Sequence, residues 1–285
     1  MYLDAPSLMY RAFFALPRSI TDPSGRPVNA VRGFMDMVSR LVTDRGVRDV
    51  VAVFDAEWRP AWRVELYPGY KAGRPEDPCE LPGQFDVVAD VLDAAGIARA
   101  EAPGFEADDA IATAVATKEP DEIAGIVTGD RDLFALVHDP DVGLLYVAKG
   151  IRKLEQLDEA AVEERYGVGP ALYADLAMLR GDASDGLPGV AGIGAVRAAR
   201  LLNEFGSIDG IMDHLDELPA KQADALRAAR DYLGAVAQIV PLVRDAGVES
   251  TAPHPPDVEG LRALADEHGL DGPTRRLLRV LGAQG

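Results

Sequence analysis

The stretch Ile123-Ala-Gly-Ile-Val-Thr-Gly-Asp-Arg-Asp132 is a short apolar run that breaks at a Thr-Gly pair and delivers two carboxylates. Such a run, bounded by a turn signal, reads as a buried strand over Ile123 to Val127, with Asp130 and Asp132 just beyond its end. The same construction occurs twice upstream. Asp49-Val-Val-Ala-Val-Phe54 is a buried strand that runs straight into Asp55, and a very short strand closes at Leu3-Asp4. Between them, Asn29 to Arg45 places Val31, Phe34, Val38, Leu41 and Val42 on one helical face. Gln84 to Ala95 and Glu106 to Thr117 also read as helices. Strands alternating with helices predict an α/β fold with a mostly parallel central sheet flanked by helices. Ligands of such sheets gather outside the carboxyl ends of the strands, where these acids stand.

From about Asp158 the pattern changes to helices alone: Glu159–Tyr166, Ala171–Leu179, Val196–Phe205 and a long one over Ala220–Asp245. The expected division is an α/β core over residues 1–157, with a Pro-, Gly-, Arg- and Trp-rich surface loop or arch at 57–82. A C-terminal helical region over 158–249 follows, then a tail over 250–285. The tail opens on a proline-bearing linker, Ser250 to Pro256, is weakly patterned, and receives no role.

Composition narrows the chemistry. Hydrophobic residues make up 48% of the 285, enough for a sizeable core. No run of about 18 apolar residues predicts a membrane span, and Met1-Tyr2-Leu3-Asp4 shows no secretion signal, so a cytoplasmic monomer is expected. The single cysteine, Cys79, excludes an internal disulfide and a cysteine zinc site. His138, His214, His254 and His268 lack the spacing of a zinc hydrolase, so any metal should be a hard cation held by oxygen. The net charge of −18 argues at first against a nucleic-acid partner. Metal ions on clustered acids would neutralise much of it, and DNA contact needs only a locally basic track.

Asp4 and Asp55 follow strands, Glu106-Ala-Asp108-Asp109 opens a helix, and Asp130 and Asp132 follow the next strand. Asp182-Ala-Ser-Asp185 adds a pair from the helical half, giving nine acids in five clusters. With 47 acids in the chain, any one cluster reads as easily as helix caps. Their repeated arrival at one sheet edge does not, because like charges packed there repel unless cations neutralise them. Two or more Mg²⁺ or Mn²⁺ ions suit an all-oxygen set. Two such ions roughly 4 Å apart activate water and stabilise the leaving oxygen of a phosphodiester.

Gly189-Val-Ala-Gly-Ile-Gly194, followed by Ala198 and Leu201-Leu202, fits a helix-hairpin-helix over residues 186–204. Its glycines let backbone approach phosphate, and the second helix offers free N–H groups; a plain helix–turn–helix joint is the bland alternative. The loop Tyr67 to Arg74 carries Lys71 and Arg74, which near metals would polarise a phosphate, and Tyr70, which would stack on an unpaired base. An ordinary solvated loop is the alternative there. Arg11 is a candidate phosphate contact or a surface pairing residue. Trp58 and Trp62 flank a DNA entrance or, more simply, pack in the core.

Six motifs together resemble the 5′-nuclease (flap endonuclease) family, in particular the 5′→3′ exonuclease domain of bacterial DNA polymerase I, in stand-alone form. They are Asp4-Ala-Pro-Ser-Leu-Met-Tyr-Arg-Ala-Phe-Phe14, Val53-Phe-Asp55, Gly69-Tyr-Lys-Ala-Gly-Arg74, Gly104-Phe-Glu-Ala-Asp-Asp109, Thr128-Gly-Asp-Arg-Asp132 and Gly181-Asp-Ala-Ser-Asp-Gly-Leu-Pro-Gly189. The resemblance runs from Leu3 to about residue 245. It implies a PIN-like 5′-nuclease fold, all nine acids as metal ligands, and Lys71 and Arg74 as catalytic residues. It further implies K⁺ held by carbonyls of Val190, Gly192 or Ile193, with Gly194 also at the DNA. The implied substrates are DNA 5′ flaps, nicks, gaps and RNA–DNA hybrids in replication and repair, with a functional link to a polymerase and a ligase. Two departures stand out: Ala5 replaces the family's usual Gly, and only three residues precede Asp4. They motivate the alternative of a non-catalytic DNA-junction binder with an impaired metal site. An RNA-directed nuclease is a third, weaker expectation.

Overall fold

A computed structural model describes residues 1–47, 49–148 and 153–283. Its centre is a seven-stranded sheet built from β1 (Tyr2–Asp4), β2 (Val51–Val53), β3 (Ala98–Glu101), β4 (Ala124–Thr128), β5 (Val142–Tyr146), β6 (Glu155–Leu157) and β7 (Glu249–Ser250). The order is β6-β5-β4-β1-β2-β3-β7. The five inner strands run parallel and the two edge strands antiparallel, so the expectation of a mostly parallel sheet holds. The chain winds outward from β1 through β2 to β3, then returns to β4 on the other side of β1. That reversal opens a crevice at the carboxyl ends of β1 and β4, the place where such sheets bind ligands.

The three-residue β1 is stable because it is central. Tyr2 and Leu3 pair with Val51 and Ala52 on one side and with Ile126 and Val127 on the other. Leu3 is fully buried, and α1 (Ala5–Ala15) starts directly after Asp4 with Ala5 also fully buried. The short strand and the Ala5 replacement therefore leave Asp4 at its place in the sheet.

Helices α2 (Asn29–Arg45), α3 (Ala61–Leu66), α4 (Pro82–Ala95) and α5 (Ala107–Ala116) complete the first half. The helical region holds α6 (Glu159–Tyr166), α7 (Tyr173–Arg180), α8 (Ala195–Phe205), α9 (Ile208–Asp213), α10 (Ala220–Ala228) and α11 (Arg230–Val236). Two apolar clusters form the core. One joins α1, α2 and α4 through Leu8, Phe34 and Leu92; the other joins α5 and the helical region through Ile111, Leu176 and Leu202. Among the described residues no helix is long and apolar enough to cross a membrane.

Three segments differ from the sequence reading. The long helix over Ala220–Asp245 is two short ones that stop at Val236, because Pro241 lacks an N–H and crowds the preceding turn. The loop at 57–82 is not wholly a surface loop: it contains α3 and buries Arg63 and Tyr70. The tail folds into α12 (Val258–His268) and α13 (Asp271–Val280); Leu261, Leu277 and, between the two helices, Leu270 join the cluster of α2 and α4. It is fastened by β7 on β3, by the Asp257 N–H to the Ala94 carbonyl at 2.8 Å, and by Arg276 on Asp36. Gly96 ends α4 at φ 70 with no room for a side chain, since a Cβ there would lie 1.8 Å from the His254 carbonyl oxygen.

Candidate active site

Five chain segments bring acids to the crevice. Asp4 caps α1, accepting the Ser7 N–H at 3.1 Å, and its other oxygen accepts the Thr128 hydroxyl at 2.5 Å. Thr128 ends β4 and also accepts the Asp130 N–H at 2.7 Å, so one hydroxyl links the acids of β1 and β4. Asp130 in turn accepts the Asp132 N–H at 3.1 Å. Asp55, just past β2, accepts the Ala107 N–H at 2.7 Å and so fixes the start of α5. Asp182 and Leu187 exchange backbone hydrogen bonds at 2.9 and 2.8 Å, closing the tight loop that presents Asp185. Glu106, Asp108, Asp130, Asp132 and Asp185 line one cavity together with Arg63, Tyr70, Lys71 and Arg74.

Crowding shows in the electrostatics. Burial, with the charges of Asp130 and Asp55 adding to it, pushes the Asp4 carboxyl up to about 7. Burial and then Asp130, Asp4 and Asp132 hold Asp108 well above the ordinary carboxylate range. Burial and then Asp130, Asp185 and Asp182 do the same to Asp132. Burial also raises Asp55 and Glu106, against the pull of neighbouring cations. Arg63 and Lys71 both pair with Glu106, Arg74 reaches Asp185 at 2.8 Å, and Arg131 reaches Asp182 at 3.5 Å. As these side chains stand, no three metal-ligating residues among those described converge on one point. The donors are nonetheless all oxygen and mutually repelling, which fits hard divalent cations rather than a histidine- or thiolate-bound metal.

The loop after α3 is docked onto the Asp182–Leu187 turn. The Lys71 N–H donates to the Asp185 carbonyl at 3.0 Å, Arg74 Nε to the Ser184 carbonyl at 3.0 Å, and the Tyr67 hydroxyl to the Gly186 carbonyl at 3.3 Å. Gly186, at φ 72, makes this possible, since a Cβ there would lie 2.1 Å from the Gly69 carbonyl oxygen. Burial disfavours the Lys71 ammonium, yet the carboxylates of Glu106 and Asp185 together outweigh that and raise its pKa.

Several expected residues sit elsewhere. Asp109 is absent from the cavity lining and fully buried, accepting from Arg63 Nη2 at 2.7 Å, the Val243 N–H at 3.0 Å and the Glu106 N–H at 3.4 Å. Tyr70, expected to stack on a base, is 5% exposed; its hydroxyl donates to Glu106 at 2.5 Å, and Arg63 and Lys71 lie against its ring. Buried in this way, it offers no free ring face. Arg11, expected at phosphate, donates to the Gly129 carbonyl at 2.9 Å and steadies the turn that carries Asp130. Trp62 packs on Phe105, whereas Trp58 is exposed. Arg63 and Thr128 were not among the expected residues. Their only sequence signals are an arginine upstream of Tyr70-Lys71 and a threonine at a strand end.

In the helical region, α7 and α8 flank the glycine turn. Val190 and Ile193 are buried, the Val190 N–H donates to the Leu179 carbonyl at 2.8 Å, and the Gly192 carbonyl accepts from Arg197. Gly194 is the N-cap of α8, and neither Gly192 nor Gly194 has any atom within 4 Å of where a Cβ would stand. Backbone is thus open to solvent at this turn, as a phosphate-contacting hairpin requires.

Comparison with known proteins finds two family domains in succession along the chain. The 5′-3′ exonuclease N-terminal resolvase-like domain matches residues 1–167, and the 5′-3′ exonuclease C-terminal SAM fold matches residues 168–258. A 5′-3′ exonuclease of Streptomyces coelicolor is 48% identical, covering 99% of this chain and 100% of that protein. One from Mycobacterium tuberculosis is 42% identical over 98% of this chain and 96% of its own length. DNA polymerase I of Mycobacterium bovis is 40% identical over 100% of this chain, which spans 32% of that protein. Among solved structures, the bacteriophage T5 D15 flap endonuclease in a pseudo-enzyme-product complex with DNA and metal ions superposes with a TM-score of 0.69 at 22% identity, covering 99% of this chain and 98% of its own. The catalytic core of Rad2 with a DNA substrate does so with a TM-score of 0.65 at 19% identity, covering 99% and 91%. Those two likenesses establish a shared fold. With its motif acids at one sheet edge and one family domain matching each half in order, the chain belongs to the 5′-3′ exonuclease family.

Proposed function

We propose that this nuclease is a divalent-metal-dependent, structure-specific 5′→3′ exonuclease and 5′-flap endonuclease of DNA. Its substrates are flaps, nicks, gaps and RNA primers on DNA. The observation that supports this best is the meeting of acids from five segments at the β1/β4 crevice, with Lys71 and Arg74 docked among them. Glu106, Asp108, Asp130, Asp132 and Asp185 would hold Mg²⁺ or Mn²⁺, with Asp4, Asp55 and Asp182 next to them. Such ions neutralise the carboxylates, polarise a phosphodiester oxygen and lower the pKa of a water. Lys71 and Arg74 donate to the scissile phosphate and offset charge that builds up in the transition state. Thr128 and Arg11 keep the β4 turn and its Asp130 in place. The open glycine turn and the start of α8 grip duplex backbone, reading phosphates rather than bases. A K⁺ at the Val190, Gly192 and Ile193 carbonyls would first have to displace Arg197 from Gly192.

The products are 5′-phosphate and 3′-hydroxyl ends, which a ligase and a polymerase use, placing the protein in replication and repair. The test is cleavage of a 5′-flap oligonucleotide while Mg²⁺ or Mn²⁺ is titrated, with the product ends mapped. Metal-dependent cuts near the junction are expected. Tight binding without cleavage at any metal concentration would make the protein a junction binder instead.

A further inference from the structure

Arg63 is 2% exposed and its guanidinium is bonded to three partners. Nε donates to the Ile239 carbonyl at 3.0 Å, Nη2 to Asp109 at 2.7 Å, and Nη1 pairs with Glu106. Its guanidinium lies 4.8 Å from the Trp62 ring centre and 5.6 Å from that of Tyr70. One side chain thereby joins α3, the start of α5 and the segment after α11. Asp109 completes the joint by accepting the Val243 N–H from that same segment. Glu106 carries a second cation, Lys71, on its other oxygen. Lys71 is differently placed: besides Glu106, its ammonium has, among the described residues, a 3.4 Å contact with the Trp58 carbonyl and lies 5.0 Å from the Tyr70 ring centre, with no second carboxylate bonded to it.

We infer that Arg63 is a positioning residue of the acidic site, the fixed counter-ion of Glu106, whereas Lys71 is the exchangeable one. When Lys71 turns to the phosphate, Arg63 and the Tyr70 hydroxyl keep Glu106 aimed at the cavity. Asp109 then serves Arg63 rather than a metal ion. The planar fork is required, because an ammonium cannot span Glu106, Asp109 and the Ile239 carbonyl at once. This inference rests on the nuclease reading, and its test separates the two.

The variants are Arg63→Gln and Arg63→Lys. Each is examined by Mn²⁺ calorimetry without DNA, by single-turnover flap cleavage at saturating Mn²⁺ and DNA, and by thermal melting. Arg63→Gln frees two carboxylates of their cation, so Mn²⁺ should bind roughly tenfold more tightly. Its cleavage rate should nevertheless fall at least about tenfold, because Glu106 is no longer held in place. Arg63→Lys keeps the charge, so its Mn²⁺ affinity should stay near that of the parent while its rate still falls. A merely structural role would weaken metal binding and cleavage together, and that outcome, or no change in either, overturns the inference. If Arg63→Gln does not fold, Arg63→Lys decides, and a parental rate there is equally fatal. If the parent protein cleaves no flap at all, the nuclease reading fails, yet unchanged Mn²⁺ affinity in Arg63→Gln still overturns the role given to Arg63.

Discussion

The backbone N–H of Lys71 donates to the Asp185 carbonyl from a left-handed conformation, φ 52, that no other described non-glycine residue adopts. Such a conformation costs on the order of 1 kcal/mol or more in a residue with a side chain, and persists only where the surroundings enforce it. Here Tyr67, Arg74 and Gly186 enforce it, and the result places the Lys71 ammonium in the acidic cavity, on Glu106.

Lys71→Ala should lower the single-turnover rate by roughly two to three orders of magnitude, the scale for one lost transition-state donor. Alanine carries the same Cβ, so the backbone strain is unchanged and the fold should persist. Flap affinity measured with Ca²⁺ should change little. A rate that stays at the parental value while only the binding constant moves would make Lys71 a docking residue.

Asp130→Asn should abolish cleavage while DNA binding survives. It should also stabilise the metal-free protein, because the Asp130 charge adds to burial in disfavouring the ionised forms of Asp4, Asp108 and Asp132. A rise of a few degrees in melting temperature is expected. Near-normal turnover at saturating Mg²⁺ would remove Asp130 from the site.

Asp4, Asp55 and Asp130 are legible in sequence because each lies at the end of an apolar run, a local pattern. Helix α2 is legible for the same reason, and its bounds, Asn29–Arg45, are those of the amphipathic stretch. The fate of adjacent acids is not local. Asp108 and Asp109 are neighbours on one helix, yet one lines the cavity and the other faces Arg63 and Val243. Arg63 is buried by partners 43 and 176 residues away, which no window of sequence contains. The tail does carry helical spacing at Leu261, Ala265 and His268, but Gly269, Gly272 and Pro273 interrupt the pattern. Strands β3 and β6, Ala-Arg-Ala-Glu and Glu-Gln-Leu, lack apolar runs altogether and exist because a neighbour pairs with them.

Stability without divalent metal should fall as pH rises. The folded-state pKa of Asp4 is raised from 3.8 to about 7, so its contribution is fully present below pH 3.8 and lost as pH climbs through 7. Asp108 and Asp132, also raised, act in the same direction. Melting temperature in a chelating buffer should therefore drop between about pH 4 and 7. Saturating Mg²⁺ should flatten that slope and raise the midpoint at pH 8, because bound cations neutralise the ionised acids. Identical slopes with chelator and with Mg²⁺ would mean that these acids are not where the metal binds.

The hairpin should govern duplex affinity without touching the chemistry, and Gly194→Asp tests this cleanly. Gly194 has extended backbone, φ −87 and ψ 179, and open space where a Cβ would stand, so aspartate fits without strain. It is also the N-cap of α8, a position that aspartate favours, so the melting temperature should stay level or rise slightly. The carboxylate would nonetheless claim the free N–H groups of the first turn and set a negative charge against the phosphates. Binding to flap substrates with long duplex arms should weaken, and its salt dependence should become shallower as fewer phosphates are neutralised. Short substrates that do not reach the hairpin should be cut at nearly the parental rate once DNA is saturating. Equal losses on short and long substrates, in a variant that melts normally, would mean that the hairpin supports the active site rather than gripping the duplex.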